Sequence, residues 1–453
     1  MSNIKHRDTD VQKKDGTTDA HGCTWIRNPI LKIRVHRCAS VVWFLLFADG
    51  EGVDIIEFYW IGQRSGWQAC RRTGWNLAMI SIFKRVVLIL VFATTAARAG
   101  EPVFTDVFVP VKDGFGAIRI PSIVLGKDGT LIAFAEGRRS NADQAQNKII
   151  AKRSSDGGHS WSAAQLLVDD GENSLNNPTA VVDQNTGRIF LMYQRIPAHM
   201  SETTKDIPTG FDGPRIYRNF LLVSDDNGKS WSGPTDVTKT TKHATIATTI
   251  ASGPGIGIQL SRGEHKGRLI IPFNEGPFRQ WNNFAVFSDD DGITWACGQN
   301  APGNMLGKRS QVNEVQMVEL EDGSVMLNSR QYAGAKCRRT AISHDGGVTW
   351  SPITESPELR DPSCMASILR YCFSQDGHPG ILLYSGPDAA KRDNGTIRIS
   401  YDDAKTWPIK KTLVPISFSY SVLVKLPDGS IGCLFENNGN IRFANFTLDW
   451  LTH

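Results

Sequence analysis

The chain has 453 residues, enough for two or three ordinary domains or for one large repeat architecture. Its formal charge of +4 is unevenly spread: residues 1–99 hold 14 Lys and Arg against 8 Asp and Glu, and the remainder holds 36 against 38. The main body therefore carries no basic block, which argues against nucleic acid as a partner.

Residues 1–78 show no sustained helical or strand period, yet hold five of the twelve Trp and three of the eight Cys. At Met79 begins "MISIFKRVVLILVFATTAARAGEPVF". Lys84 and Arg85 precede an apolar run from Val86 to Phe92, and small residues end at Ala97-Arg98-Ala99. This is the three-part pattern of a secretory signal peptide over 79–99, with cleavage expected after Ala99. The run is too short to favour a spanning helix, so no stable membrane insertion is expected after cleavage. The reading is that translation starts at Met79 and that 1–78 is a gene-prediction overrun or a disordered extension. A membrane-anchored protein with a cytoplasmic tail is the alternative. The expected destination of the remaining chain, 100–453, is secreted or periplasmic.

Five cysteines follow Ala99: Cys297, Cys337, Cys364, Cys372 and Cys433. Their odd count and irregular spacing match neither a disulfide framework nor a zinc site, so buried free thiols are expected.

One phrase recurs five times: "SSDGGHSW" at Ser154, "SDDNGKSW" at Ser224, "SDDDGITW" at Ser288, "SHDGGVTW" at Ser343 and "SYDDAKTW" at Ser400. The copies start 70, 64, 55 and 57 residues apart, the mark of a repeat array. Each follows a strand-like run such as "NKIIAKRS" or "NFAVFSDD". A second, out-of-phase repeat is a Gly turn followed by an apolar strand. It occurs six times: "DGTLIAFAEGR", "TGRIFLMYQR", "KGRLIIPFNE", "DGSVMLNSR", "GHPGILLYSG" and "DGSIGCLFENNG". Turn signals alternating with short strands predict an all-β fold. Radial repetition of sheets leaves few exposed edges, so a six-bladed β-propeller over 100–453 is expected. The last blade is expected to combine the C-terminal "NIRFANFTLDWL" with a strand near "PVFTDVFVP".

In the repeated phrase, Asp and Ser suit hydrogen bonds to the turn backbone, Gly supplies a positive φ, and Trp packs over the turn. It reads as a staple between the outer strands of a blade. The fifth copy has Ala404 where Gly is expected, which predicts a distorted turn there.

These five phrases resemble the Asp boxes of sialidases, and "AIRIPSIV" contains the Arg-Ile-Pro element found near the start of that family, with Ile118 in place of its usual aromatic. The resemblance runs from about Val103 onward and is nearest to the bacterial and lysosomal members. It implies a set of site residues. A sialic acid carries a carboxylate on its anomeric carbon, and planar guanidinium groups bind carboxylates in a bidentate way. The family's three arginines match Arg119, Arg330 and Arg392. A carboxylate nucleophile would be repelled by the substrate's own charge, and the family uses a neutral Tyr, matched by Tyr420. A free phenol has a pKa near 10 and needs a base, matched by Glu314. The acid/base Asp on a mobile loop after "EGR" is matched by Asp143. Arg138 resembles the residue on the 4-hydroxyl side of the sugar, and Glu436 the carboxylate that holds the first arginine.

The activity implied is that of an exo-α-sialidase acting with retention through a tyrosine-linked intermediate, on sialylated glycoproteins, glycolipids or oligosaccharides. Two alternatives stand beside it: transfer of the sugar by the same site, and a non-catalytic Asp-box propeller acting as a binding module. No cofactor and no metal are expected. The insertions from Arg195 to Asn219 and from Ser252 ("SGPGIGIQL") are expected to wall the pocket.

Overall fold

The computed structural model describes residues 24–27, 32–38, 41–47 and 100–453. The chain divides into two compact units, Met1–Arg98 and Ala99–His453. In the first, strands Thr24–Arg27, Lys32–Cys38 and Val41–Phe47 form an antiparallel sheet in chain order. Periodicity does not mark the third: "VVWFLLF" is a continuous apolar run with no alternation to betray a strand. The predicted signal peptide at 79–99 lies outside the described residues.

The second unit is a six-bladed β-propeller. Blade 1 runs from Ala117–Leu125 at the inside through Leu131–Arg138 and Lys148–Ser154 to Gln165–Val168 at the rim. Blades 2 to 5 repeat this meander, with inner strands Ser174–Val182, Ile250–Ser252, Val312–Glu319 and Ser367–Cys372. Blade 6 uses Ser421–Lys425, Ile431–Asn437 and Asn440–Phe446, and its rim strand is Val103–Phe108 from the other end of the unit. The expected ring closure is therefore present. It also explains five boxes for six blades: the rim strand of blade 6 enters from elsewhere, so there is no hairpin to staple.

Each box does more than close a hairpin. In the first, Asp156 accepts from Ser154 Oγ at 2.8 Å and from Ser160 N at 2.9 Å, while Ser154 Oγ accepts from Gly158 N at 2.9 Å. Gly158 sits at φ +92, and a Cβ there would lie 2.2 Å from Phe443 of blade 6. Trp161 meets the same Phe443 edge-on at 5.7 Å. Trp231 packs likewise on Phe134 of blade 1, and Trp295 on Phe190 of blade 2. These three boxes thus tie their blades to the preceding one. The turn at the fifth copy is not distorted: Ala404 adopts φ +65, its N–H still reaches Ser400 Oγ at 2.9 Å, and Asp402 still accepts from Thr406 N at 2.9 Å. The departure from Gly is absorbed as backbone strain at one residue.

The inserted stretch after Ser252 also differs from expectation. Rather than walling a mouth, Gly255–Ile256 runs parallel to the inner strand of blade 2, and Ile258–Gln259 pairs with blade 3. The inner-strand ends together line an aliphatic cavity of about 470 Å³ that includes Leu125, Val182, Ile258 and Lys425. All five cysteines after Ala99 are unpaired, and Cys337, Cys364 and Cys433 are buried.

Candidate active site

In an antiparallel blade the first residues of the inner strand lie beside the last residues of the second strand. That edge gathers residues far apart in sequence. Ala117 pairs with Arg138 and Arg119 with Glu136 in blade 1; Val312 pairs with Gln331 in blade 4; Ser421 pairs with Phe435 in blade 6. Arg119, Arg138, Glu314, Arg330, Tyr420 and Glu436 therefore all lie at one end of the channel, opposite the aliphatic cavity. Two inner strands are bulged at the key positions. The register slips between Arg119 and Ser122, and again between Val312 and Val315 around Glu314. Bulges re-aim side chains, and here they turn Arg119 and Glu314 off the regular pleat. Ile120, inside the first bulge, has φ +62, a conformation that a β-branched residue adopts only where its surroundings enforce it.

Tyr420 is the centre of the cluster. Its hydroxyl donates to Glu314 Oε1, and Arg330 Nη1 donates to the phenol oxygen at 3.0 Å and to Glu314 Oε2 at 2.8 Å. The guanidinium carbons of Arg119 and Arg392 lie 5.4 and 5.1 Å from the centre of the Tyr420 ring. Burial drives the phenol's pKa well above its ordinary value, and the charge of Glu314 adds to this, while Arg330 and Arg392 oppose it. The resting phenol is neutral.

The arginines are held from behind. Glu436 takes Arg119 Nε at 3.1 Å and Nη2 at 2.9 Å, and also accepts the N–H of Ile120 at 2.9 Å. Burial opposes the charge of Arg119, but Glu436, with Tyr420 and Asp143, together more than offset it and keep the guanidinium protonated. Arg392, in the loop after the second strand of blade 5, donates to Ser363 O at 2.7 Å and Ser419 Oγ at 3.2 Å. A depression of about 250 Å³ lies among Arg119, Arg392, Ser419 and Glu436.

Asp143 lies on the connection after the second strand of blade 1, with its side chain 68 % exposed. Its carboxylate accepts from Arg138 Nη1 at 2.9 Å and faces Arg119 Nη1 at 3.9 Å. The carbonyl of Asp143 is pinned as well, by the amides of Asn147 at 2.6 Å and Asn176 at 2.9 Å. The structure thus brings together the eight site residues that the resemblance implied.

It also adds two carboxylates that the sequence reading missed. Glu136 is fully buried and holds Arg138 through Nε at 2.8 Å and Nη2 at 2.6 Å. Strand alternation was the available signal, since positions 136 and 138 share a face. Glu202, in the insertion of blade 2, is an exposed residue with protein crowded around its carboxyl group. Desolvation there, with the charges of Glu314 and Asp143, pushes its pKa to about 7 against the pull of Arg330. Irregular insertions carry no period, so nothing in the sequence marked it.

Residues 129–433 match the family described as BNR repeat-like domain, two thirds of the chain. The chain belongs to the sialidase family with Asp-box repeats. Among its relatives, the sialidase of Micromonospora viridifaciens is 36% identical over 379 residues, covering 78% of this chain and 55% of that protein. The sialidase of Bacteroides fragilis is 29% identical over 347 residues, covering 72% and 61%. The chain thus spans little more than half the length of these two family members. In three dimensions it is similar to the Hadza microbial sialidase Hz136, with a TM-score of 0.68, 28% identity, and coverage of 77% of this chain and 69% of that one.

Proposed function

We propose that this member of the family is an exo-α-sialidase that removes terminal sialic acid from glycoconjugates with retention. The carrying observation is the convergence of three arginines from blades 1, 4 and 5 on a single phenol already bonded to a carboxylate. Three fixed cations favour an anionic group on the reacting carbon. With that carboxylate seated, Glu314 takes the Tyr420 proton as the phenol oxygen attacks the anomeric carbon. Asp143 protonates the departing glycosidic oxygen. In the second half, Asp143 removes a proton from water, the water oxygen replaces Tyr420 on the sugar, and Glu314 returns the proton to the phenolate. Arg330, donating to the phenol oxygen, lowers the energy of the charge that develops there. The pattern over 79–99 supports export as the route by which the enzyme meets glycoconjugates; N-terminal sequencing of exported protein starting at residue 100 is the expected result.

The test is release of a phenol from an aryl α-sialoside, with the first-formed sugar anomer followed by NMR. The α-anomer first supports the double displacement. Appearance of the β-anomer first would exclude Tyr420 as nucleophile, and no release by folded protein would exclude the activity.

A further inference from the structure

Between blades 4 and 5 a short connection carries a buried charge that the reaction does not use. Asp361 is 1 % exposed and meets Arg338, also 1 % exposed, at 3.1 Å. Both charges have left water, and such a pair stands only where its remaining hydrogen-bonding sites are satisfied. Arg338 donates from Nε to Asn328 Oδ1 at 2.6 Å, from Nη2 to Asn328 O at 2.9 Å, and from Nη1 to Cys364 O at 2.8 Å. Asp361 accepts, besides Arg338, the backbone N–H of Gln331 at 2.7 Å and of Cys364 at 2.9 Å.

The identity of those two N–H groups matters. Gln331 follows Arg330 directly, and Cys364 follows Ser363, whose carbonyl holds Arg392 Nη2 at 2.7 Å. The side chain of Gln331 closes the circuit, its Nε2 donating to Ser363 Oγ at 2.6 Å. Ser363 is kept at φ +61, a left-handed conformation that its surroundings must impose. One carboxylate therefore anchors the backbone beside an arginine of blade 4 and, through one residue, the support of an arginine of blade 5.

We propose that Asp361, clamped by Arg338, is a positioning residue that sets the relative aim of Arg330 and Arg392 and so fixes the pocket's preference for an ionised carboxylate. The inference rests on the reading of the cluster as a sialic acid site. Bidentate recognition is directional, so two guanidinium groups on separate blades need a common reference. A buried pair that merely stabilised the blade interface would weaken all ligands alike.

The experiment uses the full chain as parent, Asp361→Asn and Ser363→Gly, and measures dissociation constants for the 2,3-unsaturated glycal of N-acetylneuraminic acid and for its methyl ester. The parent is expected to favour the acid. In Asp361→Asn that preference should fall about tenfold, the scale of one charge-assisted contact, while ester binding hardly changes. Ser363→Gly keeps the carbonyl and relieves the positive φ, so it should fold even if Asp361→Asn does not. It should lose preference in the same direction. Undiminished preference in the variants that fold would overturn the positioning role and leave the sialidase reading intact. A folded parent that neither binds the acid nor turns over a sialoside would overturn that reading and this inference with it.

Discussion

The Tyr420 hydroxyl donates to Glu314 while accepting from Arg330 at 3.0 Å, so a proton acceptor and a cation meet at one phenol oxygen. Tyr420→Phe keeps the ring between Arg119 and Arg392 but removes the oxygen proposed to attack the sugar. Its kcat should fall by orders of magnitude while the affinity for the unsaturated glycal survives; single-turnover kinetics and a binding titration check both.

Asp143 is exposed and anchored through its own carbonyl, an arrangement suited to proton transfer at a pocket mouth. A natural sialoside leaves as a poor alkoxide, and an aryl sialoside leaves with less help. Asp143→Ala should therefore lose about 10²–10⁴-fold on the natural substrate and much less on the aryl one. Equal losses would remove Asp143 from the role of acid.

For Arg119→Ala, Arg330→Ala and Arg392→Ala, KM should rise and kcat fall, each by an amount worth about 1.5–3 kcal/mol in kcat/KM. Glu436→Gln should resemble Arg119→Ala in direction, because Glu436 holds Arg119 through two bonds. A kcat/KM within twofold of the parent would remove that arginine from the carboxylate site.

Asp156 in the first box accepts hydrogen bonds from Ser160 and Ser154, which hold its pKa down at about 2. Its ionised form stabilises the fold above the unfolded value near 3.8, and this contribution disappears as pH falls through the folded value of about 2. Asp156→Ala should lower stability at neutral pH by on the order of 1 kcal/mol, discounted for its exposure, with KM unchanged. Urea titrations should show the parent and variant converging between pH 4 and 2.

Glu202 adds a negative charge to the pocket as it ionises, and its pKa is pushed up to about 7. An anionic substrate should then bind less well as pH rises through that value. KM of the parent should climb several-fold more than that of Glu202→Gln between pH 6 and 8.5, and superimposable KM profiles would refute it.

The blades were legible because Gly turns and strand runs repeat at a scale that only stacked sheets explain. The residues of the cluster were legible through the resemblance, not through spacing: Glu314 and Tyr420 lie on different blades and meet only in three dimensions. What escaped the sequence has no local signature. The Asp-box Trp side chains look like turn cover, and only the packed ring shows Trp161 resting on Phe443 of a neighbouring blade. Glu202 lies in an insertion without period. Asp361 sits in a short connection where an aspartate ordinarily signals a turn.

The rim strand Val103–Phe108 pairs with Asn440–Phe446, joining Phe108 to Ile441. During vectorial synthesis it leaves the ribosome before every other strand of the propeller and waits longest for a partner. Its edge stays open until the last blade emerges, and the loop it must close is nearly the whole propeller. Tyr420 and Glu436 belong to that same last blade, so a chain that stops short of it lacks two members of the cluster. The ring thereby closes last: a chain that stops before Asn440–Phe446 leaves the edge of Val103–Phe108 without its partner.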